Sequence, residues 1–202
     1  MKFDFTHTLT QPDGRKLAYG RINGNSRIVI IKAGAGGTCR GDGDKYIRMA
    51  KMLHDHSGCT VICFSNFSND SFERADMDVI RELVSKMAGE ARLYYIGVSN
   101  GATQGLLDAT RYFAFVRILL INMPLMINFH KIKAALGRVN SDIRFVYGEK
   151  DPSYSYVPFL TNVAQKDTCT AHVEIVTVSQ ADHNFEGMLD TFLDLGMGVL
   201  TS

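Results

Sequence analysis

Apolar residues along this chain fall into two alternating patterns. Arg27-Ile28-Val29-Ile30-Ile31-Lys32 is apolar at successive positions and rich in β-branched residues, which predicts a strand buried on both faces of a parallel sheet. Cys59 to Phe64, Leu93 to Val98, Val116 to Asn122, Ile143 to Tyr147 and Val173 to Val178 read as further strands. Between them the apolar positions recur at helical spacing. Asp44 to His54 carries Ile47, Ala50, Met52 and Leu53, and Phe72 to Met87 carries Met77, Ile80, Leu83, Val84 and Met87, with Gly89 as its stop. Ala102 to Phe115, Met126 to Leu136, Tyr156 to Ala164 and Glu186 to Val199 are the remaining predicted helices. Ahead of the alternation, Phe3 to Leu9 and Lys16 to Gly20 flank Gln11-Pro12-Asp13-Gly14 and predict an antiparallel hairpin, with a second turn at Asn23 to Ser26.

Strands alternating with helices from Ile28 onward imply right-handed crossovers and an α/β fold: a mostly parallel sheet covered on both faces, in three layers. The chain has no internal repeat, low-complexity tract or linker, so residues 1–202 are expected to form a single domain. Composition narrows the function classes. With 46% apolar and 21% charged residues and a formal net charge of +1, the chain has no basic cluster that favours nucleic acid. Its longest apolar runs are too short for a membrane span. Cys39, Cys59, Cys63 and Cys169 form no CxxC pair and have no metal spacing, so they are read as free thiols. The first residues have no apolar leader core, and the expected location is the cytoplasm.

In a sheet of this kind ligands bind beyond the carboxyl ends of the strands, so the residues at those ends matter most. The strand ending at Lys32 runs into Ala33-Gly34-Ala35-Gly36-Gly37, a loop able to present backbone N–H groups to an anion. It lacks the third glycine of a dinucleotide fingerprint and the Gly-Lys-Ser/Thr of a phosphate loop. The strand ending at Val98 runs into Gly97-Val98-Ser99-Asn100-Gly101, a Gly-x-Ser-x-Gly between strand and helix, which is the pattern of a nucleophile elbow. The next two candidates are Gly148-Glu149-Lys150-Asp151-Pro152 and Ser179-Gln180-Ala181-Asp182-His183-Asn184.

Glycine loop, serine, acid and histidine therefore follow one another in the chain order of a serine hydrolase on a parallel sheet. A serine hydroxyl needs a base at neutral pH, and His183 can take its proton. Asp151 would hold the imidazole tautomer, with Asp182 and Glu149 as rival acids. The N–H of Asn100, with one from the loop at Ala35, would meet the oxyanion.

These pieces, together with Tyr147-Gly148-x-x-Asp151-Pro152 and Ala181-Asp182-His183-Asn184-Phe185, resemble the α/β-hydrolase fold family over essentially the whole chain. The resemblance implies a serine hydrolase without cofactor or metal that acts on a small-molecule acyl substrate. Many members have His-Gly at the oxyanion loop, where this chain has Lys32-Ala33-Gly34. Many also show Asp-x-Arg-Gly-x-Gly-x-Ser after the next strand, where it has Ser65-Asn66-Phe67-Ser68-Asn69. The segment 123–142, where members often insert a lid, is short, with Gly34, Gly36, Met123, Leu125 and Met126 as expected cleft residues and Ile127 and Phe129 beside them. The expected activity is cleavage of a small carboxylic ester or thioester. The alternatives are an amide or peptide hydrolase with the same three residues, and a hydrolase-like fold that only binds.

Overall fold

The computed structural model describes residues 2–10, 14, 16–66, 75–87, 90–111, 114–166 and 168–201. The strands are β1 (Phe5–Thr10), β2 (Lys16–Ile22), β3 (Asn25–Lys32), β4 (Cys59–Phe64), β5 (Arg92–Val98), β6 (Phe115–Ile121), β7 (Asp142–Gly148) and β8 (His172–Val178). They form one sheet in the order β1-β2-β4-β3-β5-β6-β7-β8. β1 and β2 pair antiparallel, as do β2 and β4, and every pair from β4 through β3 to β8 is parallel.

The non-alternating apolar strands are buried on both faces because successive residues enter opposite layers. Ile28 and Ile30 of β3, Tyr95 of β5 and Ile118 and Leu120 of β6 belong to one core. Val29 and Ile31, Ile96, and Leu119 and Ile121 belong to the other. Helices α1 (Lys45–Ser57) and α6 (Leu189–Met197) cover the second core with Met49, Ala50, Leu53 and Phe192. The first is covered by α2 (Ala75–Ser85), α3 (Asn100–Ala109), α4 (Leu125–Leu136) and α5 (Val157–Ala164), through Ile80, Leu106, Ile132 and Leu160 among others. The architecture is the three-layer α/β sandwich with an antiparallel hairpin at one edge.

Several element boundaries differ from the sequence expectation. The helix expected over Ala102 to Phe115 ends at Ala109, and Phe115 opens β6, where its buried ring packs 5.4 Å from that of Tyr95. Burial against β5 outweighs the apolar spacing that extended the helix. The last helix starts at Leu189, three residues later than expected, because Phe185 (φ 58°) and Gly187 (φ 70°) are left-handed and Met188 is non-helical. At the start of α1, a 3₁₀ turn over Asp42–Asp44 precedes the helix, and Gly58 ends it in a left-handed cap whose N–H donates to His54 O. The Gln11-Pro12-Asp13 part of the hairpin turn, residues 67–70 of the loop after β4, residues 72–74 of the second helix and the Gly89 stop lie outside the described residues.

Candidate active site

Ser99 stands between β5 and α3 with φ 52° and ψ −122°, outside the regions favoured by residues with a side chain. The local sequence makes this turn possible. A Cβ on Gly97 would lie 2.5 Å from Ala102 Cα, and one on Gly101 would run into Ala33 O, so only glycine lets strand, helix and loop approach this closely. The turn is fixed on both sides: Ser99 N–H donates to Ile121 O at 2.8 Å, and Ser99 O accepts from Ala102 N at 2.9 Å.

His183 lies on the loop after β8, and its Nε2 is 3.1 Å from Ser99 Oγ. Its Nδ1 is 2.5 Å from Asp151 Oδ2 on the turn after β7. Nδ1 carries the proton, since a carboxylate only accepts, and Nε2 is left bare toward the serine hydroxyl. The exposures differ sharply: the His183 side chain is 42% exposed, that of Asp151 only 1%. The other carboxylate oxygen of Asp151 accepts from Ser153 N at 2.7 Å. Burial, with the Asp151 charge adding to it, pushes the neighbouring Tyr147 phenol well up.

The two rival acids are occupied elsewhere. Asp182 Oδ1 accepts from the N–H groups of Asn184 and Glu186 at 3.0 and 2.9 Å, and the Glu186 N–H chiefly holds its carboxyl below the usual range. Glu149 accepts from Ser179 Oγ and Gln180 N at 2.9 and 3.0 Å, which ties the Asp151 turn to the His183 loop.

The glycine loop passes beside the serine: a Cβ on Gly34 would lie 3.1 Å from Ser99 Cβ. Gly37 N–H donates to Gly34 O at 2.9 Å, and Gly36 takes a left-handed φ of 73° to close the bend. Burial pushes the Tyr46 phenol up, against a smaller lowering from the Gly34 backbone N–H. Ala35 and Gly36 are exposed, and among the described residues the N–H groups of Ala35 and Asn100 have no acceptor within the protein.

Three side chains not anticipated as site residues hold this arrangement. Asn66, buried after β4, donates from Nδ2 to Ala33 O and to Asn100 Oδ1, both at 3.0 Å. Its backbone bonds both ways with the loop, through Gly36 N to Asn66 O and Asn66 N to Gly37 O. Gln104 Nε2 donates to Asn100 Oδ1 at 3.0 Å and Asn66 Oδ1 at 3.3 Å. Asn122, fully buried after β6 with φ 47°, bonds to both the Asp151 turn and the His183 loop. The signal for Asn66 and Asn122 in the sequence was an amide at the carboxyl end of a strand buried on both faces.

The expected cleft walls divide. Met123 and Leu125 have no exposed surface and belong to the core, where Tyr147 donates its hydroxyl to Met123 O at 3.3 Å. Neither forms a cleft surface, because the chain turns inward between β6 and α4. Phe129 packs against the same core, while Met126 and Ile127 in the first turn of α4 are 60% and 76% exposed. Among the described residues no cluster of His, Cys, Asp and Glu has metal-binding geometry, and no helix is long and apolar enough to cross a membrane.

No family model and no curated protein sequence matches this chain. Its structure is similar to that of an alpha-beta serine hydrolase homologue from Coxiella burnetii, with a TM-score of 0.74 at 18% identity, covering 100% of this chain and 99% of that one. Est1E from Butyrivibrio proteoclasticus, also solved with ferulic acid bound, is similar with a TM-score of 0.71 at 12% identity, over 95% of this chain and 96% of that one. An a/b serine hydrolase without lid from Xanthomonas campestris gives 0.65 at 18% identity, over 97% and 93%. The fold is the α/β-hydrolase fold.

Proposed function

We propose that this chain is a serine hydrolase that cleaves a small carboxylic ester or thioester through an acyl-enzyme. The observation that carries the reading is the hydrogen-bonded series from Asp151 through His183 to Ser99, with a strained serine at its end. Ser99 Oγ attacks the carbonyl carbon and its proton passes to His183 Nε2. The carbonyl electron pair moves onto oxygen, and the anion meets the free N–H groups of Ala35 and Asn100. The carbonyl re-forms, the bond to the leaving oxygen or sulfur breaks, and His183 returns the proton to that atom. Water then repeats the sequence on the acyl-Ser99, releasing the acid and restoring the serine. Asp151 stays ionised throughout, holding Nδ1–H and stabilising the imidazolium.

The half-exposed His183 and the exposed loop at Ala35 and Gly36 suit an acyl group presented from solvent. Ferulic acid held by Est1E, a protein of the same fold, supports a carboxylic acid as product. Met126 and Ile127 supply exposed apolar surface on the helix that follows β6. The test is reaction with a serine-directed fluorophosphonate alongside hydrolysis of activated esters. Wild type is expected to be labelled and to hydrolyse, and Ser99→Ala to do neither. A folded, unlabelled and inactive wild type would overturn the proposal in favour of a binding protein.

A further inference from the structure

Asn122 is fully buried, sits at the carboxyl end of β6 and holds a left-handed φ of 47° without being glycine. A side chain kept in such a backbone conformation is over-determined by its surroundings. Its Nδ2 donates to Asp182 O at 3.1 Å and to His183 O at 3.0 Å, which uses both amide hydrogens. Its Oδ1 accepts from Gly148 N at 2.9 Å, three residues before Asp151. Its own N–H donates to Val146 O, and the preceding carbonyl, Ile121 O, receives the N–H of Ser99.

One dipeptide, Ile121-Asn122, thus touches the backbone at Ser99, at the start of the Asp151 turn and at His183 itself. We infer that Asn122 is a positioning residue: its amide sets the His183 loop against the Asp151 turn so that Nδ1 and Nε2 meet Asp151 and Ser99 together. The inference rests on the hydrolase reading above.

The chemistry of the amide explains why this side chain is needed. Both carbonyls it serves lie on the loop after β8; Asp182 O also accepts from Phe185 N at 3.4 Å, whereas among the described residues His183 O has no other donor, and a buried carbonyl without a donor is costly. The receiving groups are two acceptors and one donor, so the side chain must offer two donors and one acceptor. Asparagine provides that set, whereas aspartate of the same shape turns both donors into acceptors.

Asn122→Gly separates side chain from backbone, because glycine takes φ 47° without strain. Turnover is measured per active site, counted by fluorophosphonate titration. Turnover per site is expected to fall about 10²-fold, the scale of a misplacement near 1 Å, with KM within about twofold of wild type. The rate of fluorophosphonate labelling should fall in parallel. Leu53→Ala, a core change on α1, gives the contrasting behaviour of a purely structural defect: fewer folded molecules, each turning over at the wild-type rate. If Asn122→Gly does not fold, Asn122→Asp carries the test with the same shape and the same expected loss. Wild-type turnover per site in either folded variant would overturn the inference. A wild type that is itself inactive and unlabelled would instead overturn the hydrolase reading.

Discussion

At the amino ends of β6, β7 and β8, Arg117 faces Asp142, Arg144 faces Glu174 at 2.7 Å and His172 lies 3.5 Å from Asp142, all with solvent access. At the carboxyl ends of the same strands, polar groups are held in another way. Asn122 and Asp151 are buried, their partners are mostly backbone N–H and C=O groups, and Asn122, like Ser99 at the end of the neighbouring β5, has a positive φ. Exposed pairs can shift by an ångström at little cost, because water replaces whatever they lose. Buried amides cannot, because an unmade bond there has no substitute. One end of the sheet therefore tolerates charge loosely placed, and the other holds each polar atom to a single position, as a reacting group requires.

The contrast can be broken most strongly at Ser99. Ser99→Ala should lower ester turnover by about 10⁶-fold, read from initial rates with an activated ester, while the melting temperature stays close to wild type, because alanine keeps the Cβ and with it the strained backbone of the elbow. Asp151→Asn comes next, with an expected loss of about 10⁴-fold in kcat. Asp182→Asn is its control: the amide oxygen can still accept from Asn184 and Glu186, so the rate should change little. Asp182 also has a pH signature. Its carboxyl is held below the usual range by the Glu186 N–H, so its contribution to stability is complete above the ordinary carboxylate pKa and fades as pH falls through the lowered value. Denaturant titrations across that acid range should show wild type losing its advantage over Asp182→Asn.

A third change sharpens the comparison at the buried pair of Lys32 and Asp76, 2.7 Å apart and 4% and 2% exposed, just before the glycine loop. Lys32→Met takes the cation away from the buried Asp76 carboxylate and is expected to cost about 3–5 kcal/mol in chemical denaturation, with Lys32→Met/Asp76→Leu recovering most of it. Smallest of all, Arg144→Ala should cost no more than about 1 kcal/mol, and less still at high salt, because the Arg144–Glu174 pair is half-solvated. A larger loss there than at Lys32 would erase the distinction between the two ends.

Much of this site was legible in the residues. Strand burial follows from unbroken apolar runs such as Ile28 to Ile31, and the elbow from glycines that only close packing demands. Asp151 was the preferred acid, with Asp182 and Glu149 as rivals, because a carboxylate's reach depends on backbone direction, which residue types alone do not give. Asp182 lies next to His183 in the chain yet bonds forward to Asn184 and Glu186, while Asp151 reaches back across the sheet. Asn66, Gln104 and Asn122 were not legible as site residues, because an amide just past a strand or on a helix has no pattern that reveals its partners. Met123 and Leu125 were misplaced for a related reason: an apolar residue after a strand can turn inward or line a cleft, and only the course of the chain into α4 decides.

Ser99 and His183 meet across 84 residues of sequence, and His183 and Asp151 across 32, with β8 at the outer edge of the sheet. During synthesis the serine is made well before its base. Until β8 docks beside β7, Ser99 is an ordinary alcohol on a partly formed sheet. Parallel pairing over such separations is slow, because chain entropy is lost before contacts return it. Catalytic competence therefore arrives with the last strand, so the recovery of esterase activity during refolding times the docking of β8 rather than the collapse of the core.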